Sequence, residues 1–145
     1  MTKPRTPYLR ALAAASVVLF TALPLFAAGE RVRNEWGGKE ARIFTVDEVI
    51  EILLSEDGPL IVDARSAREF RVGHVPGALN VPHKETWGRI EEFERYRDRG
   101  IIFYCKLGSR AGIGSKGLIT EGFEKVGVML GHFEEWKRRQ LPVEP

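Results

Sequence analysis

Residues 101–110 read Ile-Ile-Phe-Tyr-Cys-Lys-Leu-Gly-Ser-Arg, and the organisation of the chain can be worked out from this segment. Its first four residues are apolar or aromatic strand formers, which predicts a buried strand. Cys105, the only cysteine in the chain, follows directly. A short loop containing Gly108 then leads to Arg110 at the start of a predicted helix. The segment therefore predicts a cysteine between the carboxyl end of a buried strand and a helix N-terminus.

This position favours a reactive thiolate at Cys105. Open α/β sheets place reactive groups at the carboxyl ends of their strands, and the N–H groups at a helix N-terminus stabilise an anion. The thiolate is the nucleophilic form of cysteine, and Lys106 and Arg110 add positive charge on either side. The alternative, from these residues alone, is that Cys105 is a small buried apolar side chain.

The rest of the chain alternates between short apolar runs and helical patterns. Strands are predicted at 41–44, 60–65, 78–81, 101–104 and 126–130, and helices at 46–54, 66–72, 90–99, 110–121 and 133–140. Two of these helices start with the spacing of a capping box, Thr45 with Glu48 and Ser66 with Glu69. Strands that alternate with helices predict a parallel sheet covered by helices, which is an α/β domain.

The N-terminal region has the layout of a secretory signal. Three basic residues and no acidic ones precede an uncharged run over residues 11–28, and a basic segment followed by an apolar one is typical of a signal peptide. Because the run also reaches the length of a short membrane span, a retained anchor on the outer face of the inner membrane is the alternative. We therefore expect a signal or anchor over 1–28, a linker over 29–40 and one periplasmic or secreted domain over 41–145.

Charge and cysteine content narrow the possible partners. The chain has 22 basic and 20 acidic residues, but without the three basic residues of the N-terminal segment the balance is 19 to 20, a net charge of −1. Nucleic-acid binding is therefore not expected, and membrane attachment is expected only through residues 1–28. A single cysteine cannot form an intramolecular disulfide, and a lone thiol in an exported protein is potentially reactive. The three histidines lack ligand-like spacing, so no metal is expected.

Two motifs make the chain resemble a rhodanese domain. Val-Asp-Ala-Arg at 62–65, Glu-Phe at 69–70 and Gly-His-Val-Pro-Gly-Ala-Leu-Asn-Val-Pro at 73–82 are together similar to the N-terminal signature of that family. Residues 105–110 resemble the active-site loop of single-domain rhodaneses, and residues 122–143 resemble the C-terminal pattern. The resemblance covers nearly the whole of the predicted domain.

This resemblance implies a five-stranded parallel sheet with helices on both faces and a sulfurtransferase activity without a cofactor. Cys105 would accept a sulfane sulfur as a persulfide and pass it to a second nucleophile. The implied partners are an anionic donor such as thiosulfate and an acceptor such as cyanide or a thiol. The residues expected to bind the donor, chiefly through backbone N–H groups, are Lys106, Leu107, Gly108, Ser109 and Arg110.

Two other functions stay open at this point. Phosphatases and arsenate reductases of the same fold carry one more residue between their cysteine and arginine. Four residues separate Cys105 from Arg110, which is the sulfurtransferase length and favours sulfur transfer. A binding or sulfur-sensing module without turnover is the main alternative, although many such domains lack the cysteine that this chain has.

Several conspicuous residues outside the loop have two interpretations. Asp63 and Arg65 either line the pocket or form a scaffold around it, and we favour the scaffold because polar groups at a sheet end need partners. Trp136 is expected in the core. Three glycines in the helix after the loop predict a helix that is either frayed or unusually close-packed. His132 stands where the family often has a glycine, and it either reaches the pocket rim or lies on the surface.

Overall fold

The computed structural model describes residues 39–145. The signal or anchor predicted over 1–28 lies outside the described residues, and so does the predicted linker except for its last two residues. Within the described part, no helix is long and apolar enough to cross a membrane.

Strands and helices alternate along the described residues. The strands are β1 (Arg42–Phe44), β2 (Leu60–Asp63), β3 (Leu79–Asn80), β4 (Ile101–Tyr104) and β5 (Val126–Met129), and the helices are α1 (Val46–Leu54), α2 (Ala67–Val72), α3 (Ile90–Glu94), α4 (Ser109–Thr120) and α5 (His132–Arg138). The strands form one sheet in the order β1-β5-β4-β2-β3, and every pairing is parallel. The predicted five-stranded parallel sheet is confirmed, and it places β4 at its centre.

The sheet lies between two apolar cores, one on each face. Along β4 the buried side chains alternate, as the two-residue period of a strand requires. Ile102 and Tyr104 pack with the apolar residues of α1 and α5. Ile101 and Phe103 pack, together with Cys105, against residues of α3 and α4. The alternation confirms that helices cover both faces of the sheet.

The capping boxes of α1 and α2 are present as predicted. The hydroxyl oxygens of Thr45 and Ser66 accept hydrogen bonds from the N–H groups of Glu48 and Glu69, each at 3.3 Å. The prediction of a helix over 90–99 was wrong in length, because α3 ends at Glu94. Ile90, Phe93 and Tyr96 all pack on the core. After Glu94, however, the N–H groups of Tyr96 and Arg97 donate to the carbonyl oxygens of Phe93 and Glu94, three residues back, which is the tighter hydrogen bonding typical of a helix end.

The glycines of α4 explain how that helix packs. A Cβ on Gly114 would lie 2.9 Å from the ring of Phe103, and a Cβ on Gly117 would lie 3.1 Å from the ring of Trp87. A Cβ on Gly112 would meet nothing. Of the two predicted alternatives, close packing is therefore the correct one at two of the three glycines, and it brings α4 near the sheet beside Cys105.

Candidate active site

Cys105 follows the last residue of β4 and lies beneath a tightly curved loop. Its exposed fraction is 1%, and its Sγ accepts a hydrogen bond from the N–H of Gly108 at 3.0 Å. Gly108 has a φ of 124°, a conformation that L side chains rarely adopt, and it is the N-cap of α4. Because glycine adopts positive φ without a steric penalty, the loop can turn back sharply enough to aim this N–H at the sulfur.

The loop side chains predicted to bind a donor differ in their surroundings. Lys106, Leu107 and Ser109 are exposed, and Leu107 is 76% exposed. The buried sulfur is thus contacted by the loop backbone at Gly108, while these side chains extend along the surface around it.

Arg110 has a carboxylate partner that the sequence did not reveal. Its guanidinium donates two hydrogen bonds to Glu69, at 2.6 and 2.9 Å. The hydrogen bond from Arg110 is the largest cause of a pKa of about 2 for Glu69, so this carboxylate stays ionised at neutral pH. The charge of Arg110 beside the loop is therefore balanced by Glu69, which also caps α2.

Asp63 and Arg65 form a buried polar network at the end of β2. Arg65 donates to both carboxylate oxygens of Asp63, at 2.6 to 3.0 Å, and to the carbonyl oxygen of Gly73 at 2.7 Å. The hydroxyl of Tyr104 donates to Asp63 at 2.7 Å and accepts from the N–H of Val75 at 3.0 Å. Burial is the main reason that the pKa of Tyr104 is raised well above its usual value. Since their polar groups are engaged with one another, the arrangement favours the scaffold interpretation.

Other polar residues of the first motif and the predicted core tryptophan have structural contacts. The Asn80 side chain donates to the carbonyl oxygens of Asp63 and Arg65, at 3.0 and 2.9 Å. Trp136 is fully buried, and its indole N–H donates to the carbonyl oxygen of Pro142 at 2.9 Å. These contacts hold segments around the site in place.

His132 reaches the cysteine loop. Its Nδ1 lies 3.5 Å from the backbone nitrogen of Cys105, and its Nε2 would lie 2.8 Å from a Cβ placed on Gly108. The ring is partly buried, and burial lowers its pKa. The ring lies beside the cysteine loop and is not free on the surface, which favours the pocket rim of the two alternatives predicted for this residue.

Sulfur chemistry at this site depends on the form of Cys105, because the thiolate is the nucleophilic form of cysteine. A backbone N–H that donates to sulfur stabilises an anionic form more than a neutral thiol. Within residues 39–145, no group of three or more His, Cys, Asp or Glu side chains could hold a metal ion.

Comparisons with known proteins bear on this site. The model of the rhodanese-like domain family matches residues 45–139. The chain is 29% identical over 110 residues to the mitochondrial thiosulfate sulfurtransferase RDL2 of Saccharomyces cerevisiae, covering 68% of this chain and 74% of that protein. It is 24% identical over 125 residues to the thiosulfate:glutathione sulfurtransferase of the same yeast, covering 72% and 90%. The fold matches the human single-domain sulfurtransferase TSTD1 with a TM-score of 0.58, at 24% identity, over 68% of this chain and 96% of that one.

Other similar proteins are longer than the matched region. The chain spans 64%, 19% and 27% of the length of three further curated relatives. The third of these is a tRNA uridine(34) hydroxylase from Escherichia fergusonii, 28% identical over 94 residues, which are 62% of this chain. Domains of this kind therefore occur in proteins whose names state different activities.

Proposed function

The chain belongs to the rhodanese-like domain family, and from that premise we propose that it is a sulfurtransferase that carries a sulfane sulfur on Cys105. The observation that supports this most directly is the 3.0 Å hydrogen bond from the Gly108 N–H to Sγ. Burial of Cys105 alone would also suit an inert apolar residue. A backbone N–H that donates to the sulfur, from a glycine with positive φ, instead favours a sulfur that carries negative charge during the reaction.

The proposed reaction has two displacements. The Cys105 thiolate attacks the outer sulfur of thiosulfate, so that a new S–S bond forms and the S–S bond of thiosulfate breaks, with sulfite leaving. Cyanide then attacks the outer sulfur of the persulfide, which forms a C–S bond and returns the Cys105 thiolate as thiocyanate leaves. Each step conserves charge and needs no oxidant or reductant. In both steps the cysteine acts as a covalent nucleophile or leaving group.

The residues around the sulfur suit an anionic donor. One similar protein is named a thiosulfate sulfurtransferase and another a thiosulfate:glutathione sulfurtransferase, which makes thiosulfate the first donor to test. Because Cys105 is buried, a donor has to approach from the exposed side of the loop, where Lys106 is a cation that attracts it. Backbone N–H groups of residues 106–110 and the α4 N-terminus would then stabilise the persulfide anion.

A transfer assay with the full chain tests the proposal. Wild type and Cys105→Ser are compared for thiocyanate formation from thiosulfate and cyanide, and intact mass is recorded after thiosulfate alone. We expect thiocyanate and one added sulfur atom in the wild type, and neither in Cys105→Ser, although that variant keeps the same circular dichroism spectrum. Thr120→Ser, a similarly small change at the exposed end of α4 away from the cysteine loop, controls for nonspecific damage.

The other possible outcomes identify the alternatives. Added sulfur without thiocyanate would point to a carrier or sensor that needs its own acceptor. No added sulfur from any of several sulfane donors would contradict the proposal and favour a binding module. Hydrolysis of an aryl phosphate that depends on Cys105 would instead indicate phosphatase chemistry.

A further inference from the structure

The first residues of α5 pair with both backbone groups of Cys105. The N–H of Phe133 donates to the Cys105 carbonyl oxygen at 3.0 Å, and the Cys105 N–H donates to Nδ1 of His132 in a long hydrogen bond of 3.5 Å. The register of β4 with β5 ends with Phe103 opposite Val128. Beyond that point, α5 supplies the polar partners of the cysteine, and one of them is a side chain.

His132 keeps this position in an unusual backbone conformation. Its φ is 53°, and within residues 39–145 Gln140 is the one other non-glycine residue with positive φ. A side chain in the left-handed region is uncommon, and such strain persists where surrounding contacts impose it, often at functional sites. The conformation therefore indicates that the contacts of the His132 ring matter more than a relaxed backbone.

The other side of the ring lies against Gly108. Nε2 of His132 occupies the space that a side chain at position 108 would need, because a Cβ there would be 2.8 Å away. Gly108 is also the residue whose N–H donates to Sγ. One imidazole thus accepts from the amide of Cys105 and fills the space beside Gly108 that a side chain there would need.

We propose that His132 is a positioning residue for sulfur transfer, which holds residues 105–108 in the curvature that aims the Gly108 N–H at the sulfur. This inference rests on the sulfurtransferase function proposed above. With Nδ1 as acceptor, the neutral ring carries its proton on Nε2. Burial lowers the pKa of His132, which favours the neutral ring that can accept the Cys105 N–H.

This role predicts which kinetic constant changes. The Gly108 N–H donates to Sγ, the atom that attacks as a thiolate and loses its negative charge when the S–S bond forms. A hydrogen bond to an ion stabilises it whether or not thiosulfate is bound, so losing that hydrogen bond lowers the amount of attacking thiolate without changing how thiosulfate binds. Loss of a hydrogen bond to a charged group costs about tenfold or more, and removing the imidazole should therefore slow persulfide formation by about tenfold and change the thiosulfate concentration at half-maximal rate much less.

Two substitutions at His132 distinguish the effect of its hydrogen-bond acceptor from the effect of its positive φ. His132→Gly removes the ring and relaxes the positive φ. His132→Asn keeps a side-chain acceptor, and asparagine tolerates the left-handed region. Both variants should fold, because in His132→Gly the relief of the backbone strain offsets part of the cost of leaving the Cys105 N–H without its acceptor.

The experiment measures single-turnover persulfide formation by intact mass across a range of thiosulfate concentrations. We expect His132→Gly to lose about tenfold in maximal rate and His132→Asn to recover most of that loss. A His132→Gly rate equal to the wild type would overturn the inference. So would a His132→Asn rate as low as that of His132→Gly, since the acceptor would then be irrelevant.

A second measurement keeps this inference distinct from the proposed function. Amide hydrogen exchange at Cys105 and Gly108 is followed in the same three proteins, which needs no turnover. Faster exchange in His132→Gly but not in His132→Asn supports positioning of the loop by His132, and unchanged exchange contradicts it. If the wild type forms no persulfide, the proposed function fails, and the exchange data alone decide whether His132 positions the loop.

Discussion

The ends of β2 and β4 lie side by side, with Asp63 opposite Tyr104, and each is followed by an arginine that pairs with a carboxylate. At the end of β2, the side chains of Arg65 and Asp63 are 6% and 0% exposed. Beyond β4, the side chains of Arg110 and Glu69 are 25% and 34% exposed. Two similar ion pairs therefore occupy one edge of the sheet in very different solvent environments.

This difference in exposure distinguishes an ion pair that stabilises the fold from one that lies beside the cysteine loop. In the network after β2, Arg65 donates to the Gly73 carbonyl oxygen and the Tyr104 hydroxyl donates to Asp63. Removing either member of the Arg65–Asp63 pair would leave the other as an unpaired charge in the core. The pair beside the cysteine loop is partly solvated, so its attraction is weakened by water. We infer that the first pair maintains the shape of the site, whereas the second adjusts the charge that an anionic donor meets.

The largest effect is expected from Asp63→Asn, which leaves the buried Arg65 without a counter-charge. Breaking a buried ion pair by removing one partner costs about 3–5 kcal/mol, and urea unfolding would measure this loss. Glu92→Gln, which removes the partner of Arg89 in an exposed pair, is the control and should change stability little. A loss for Asp63→Asn as small as that of the control would remove the distinction between the two regions.

Tyr104→Phe is expected to have the next largest effect on stability. It deletes the hydroxyl that joins Asp63 to the N–H of Val75, and a buried donor left unsatisfied costs about 1–3 kcal/mol. Sulfur transfer per folded molecule should be unchanged, because Tyr104 packs on the opposite face of the sheet from Cys105. Tyr96→Phe, at a tyrosine that is only partly buried, is the matched control. A selective loss of transfer in Tyr104→Phe would mean that the network takes part in the reaction.

Glu69→Gln should change donor binding more than stability. Glutamine retains the capping box but removes the charge that balances Arg110, so thiosulfate should meet a more positive loop. A partly exposed pair contributes about 0.2–1 kcal/mol, which corresponds to a KM for thiosulfate that is lower by up to about fivefold. Glu48→Gln makes the same change in the capping box of α1 and should leave KM unaltered. An unchanged or higher KM in Glu69→Gln would show that Glu69 does not restrain Arg110.

The smallest effect is expected on the thermal stability of the protein at acidic pH. The pKa of Glu69 is lowered from 4.5 to about 2, chiefly by its hydrogen bond with Arg110. A carboxyl group whose pKa is lower when folded binds protons more readily when unfolded, so its stabilising contribution is complete above pH 4.5 and is lost as the pH falls towards 2. The difference in melting temperature between wild type and Glu69→Gln should therefore shrink over that interval. A melting-temperature difference that stays constant from pH 4.5 down to pH 2 would contradict the lowered pKa of Glu69.

Local patterns explain why much of the fold could be predicted. The strand before Cys105 and the capping boxes at Thr45 and Ser66 depend on residues within a few positions of one another, and the structure contains all three. The predicted end of the helix that became α3 was wrong because the backbone changes after Glu94 to hydrogen bonds with the residue three positions back. The apolar spacing continues to Tyr96, which also packs on the core, so the periodicity does not show where the helix ends.

The sequence by itself determined the parallel α/β organisation, the family resemblance and the place of Cys105 at the head of a helix. These follow from short-range patterns and from the chain order of the motifs. Only the tertiary structure decided which groups surround that cysteine. Glu69 and Arg110 are 41 positions apart, and Cys105 and His132 are 27 apart, so no local pattern links them. They meet because parallel strands bring the residues that follow them to the same edge of the sheet, where charge and hydrogen bonding act between neighbours in space.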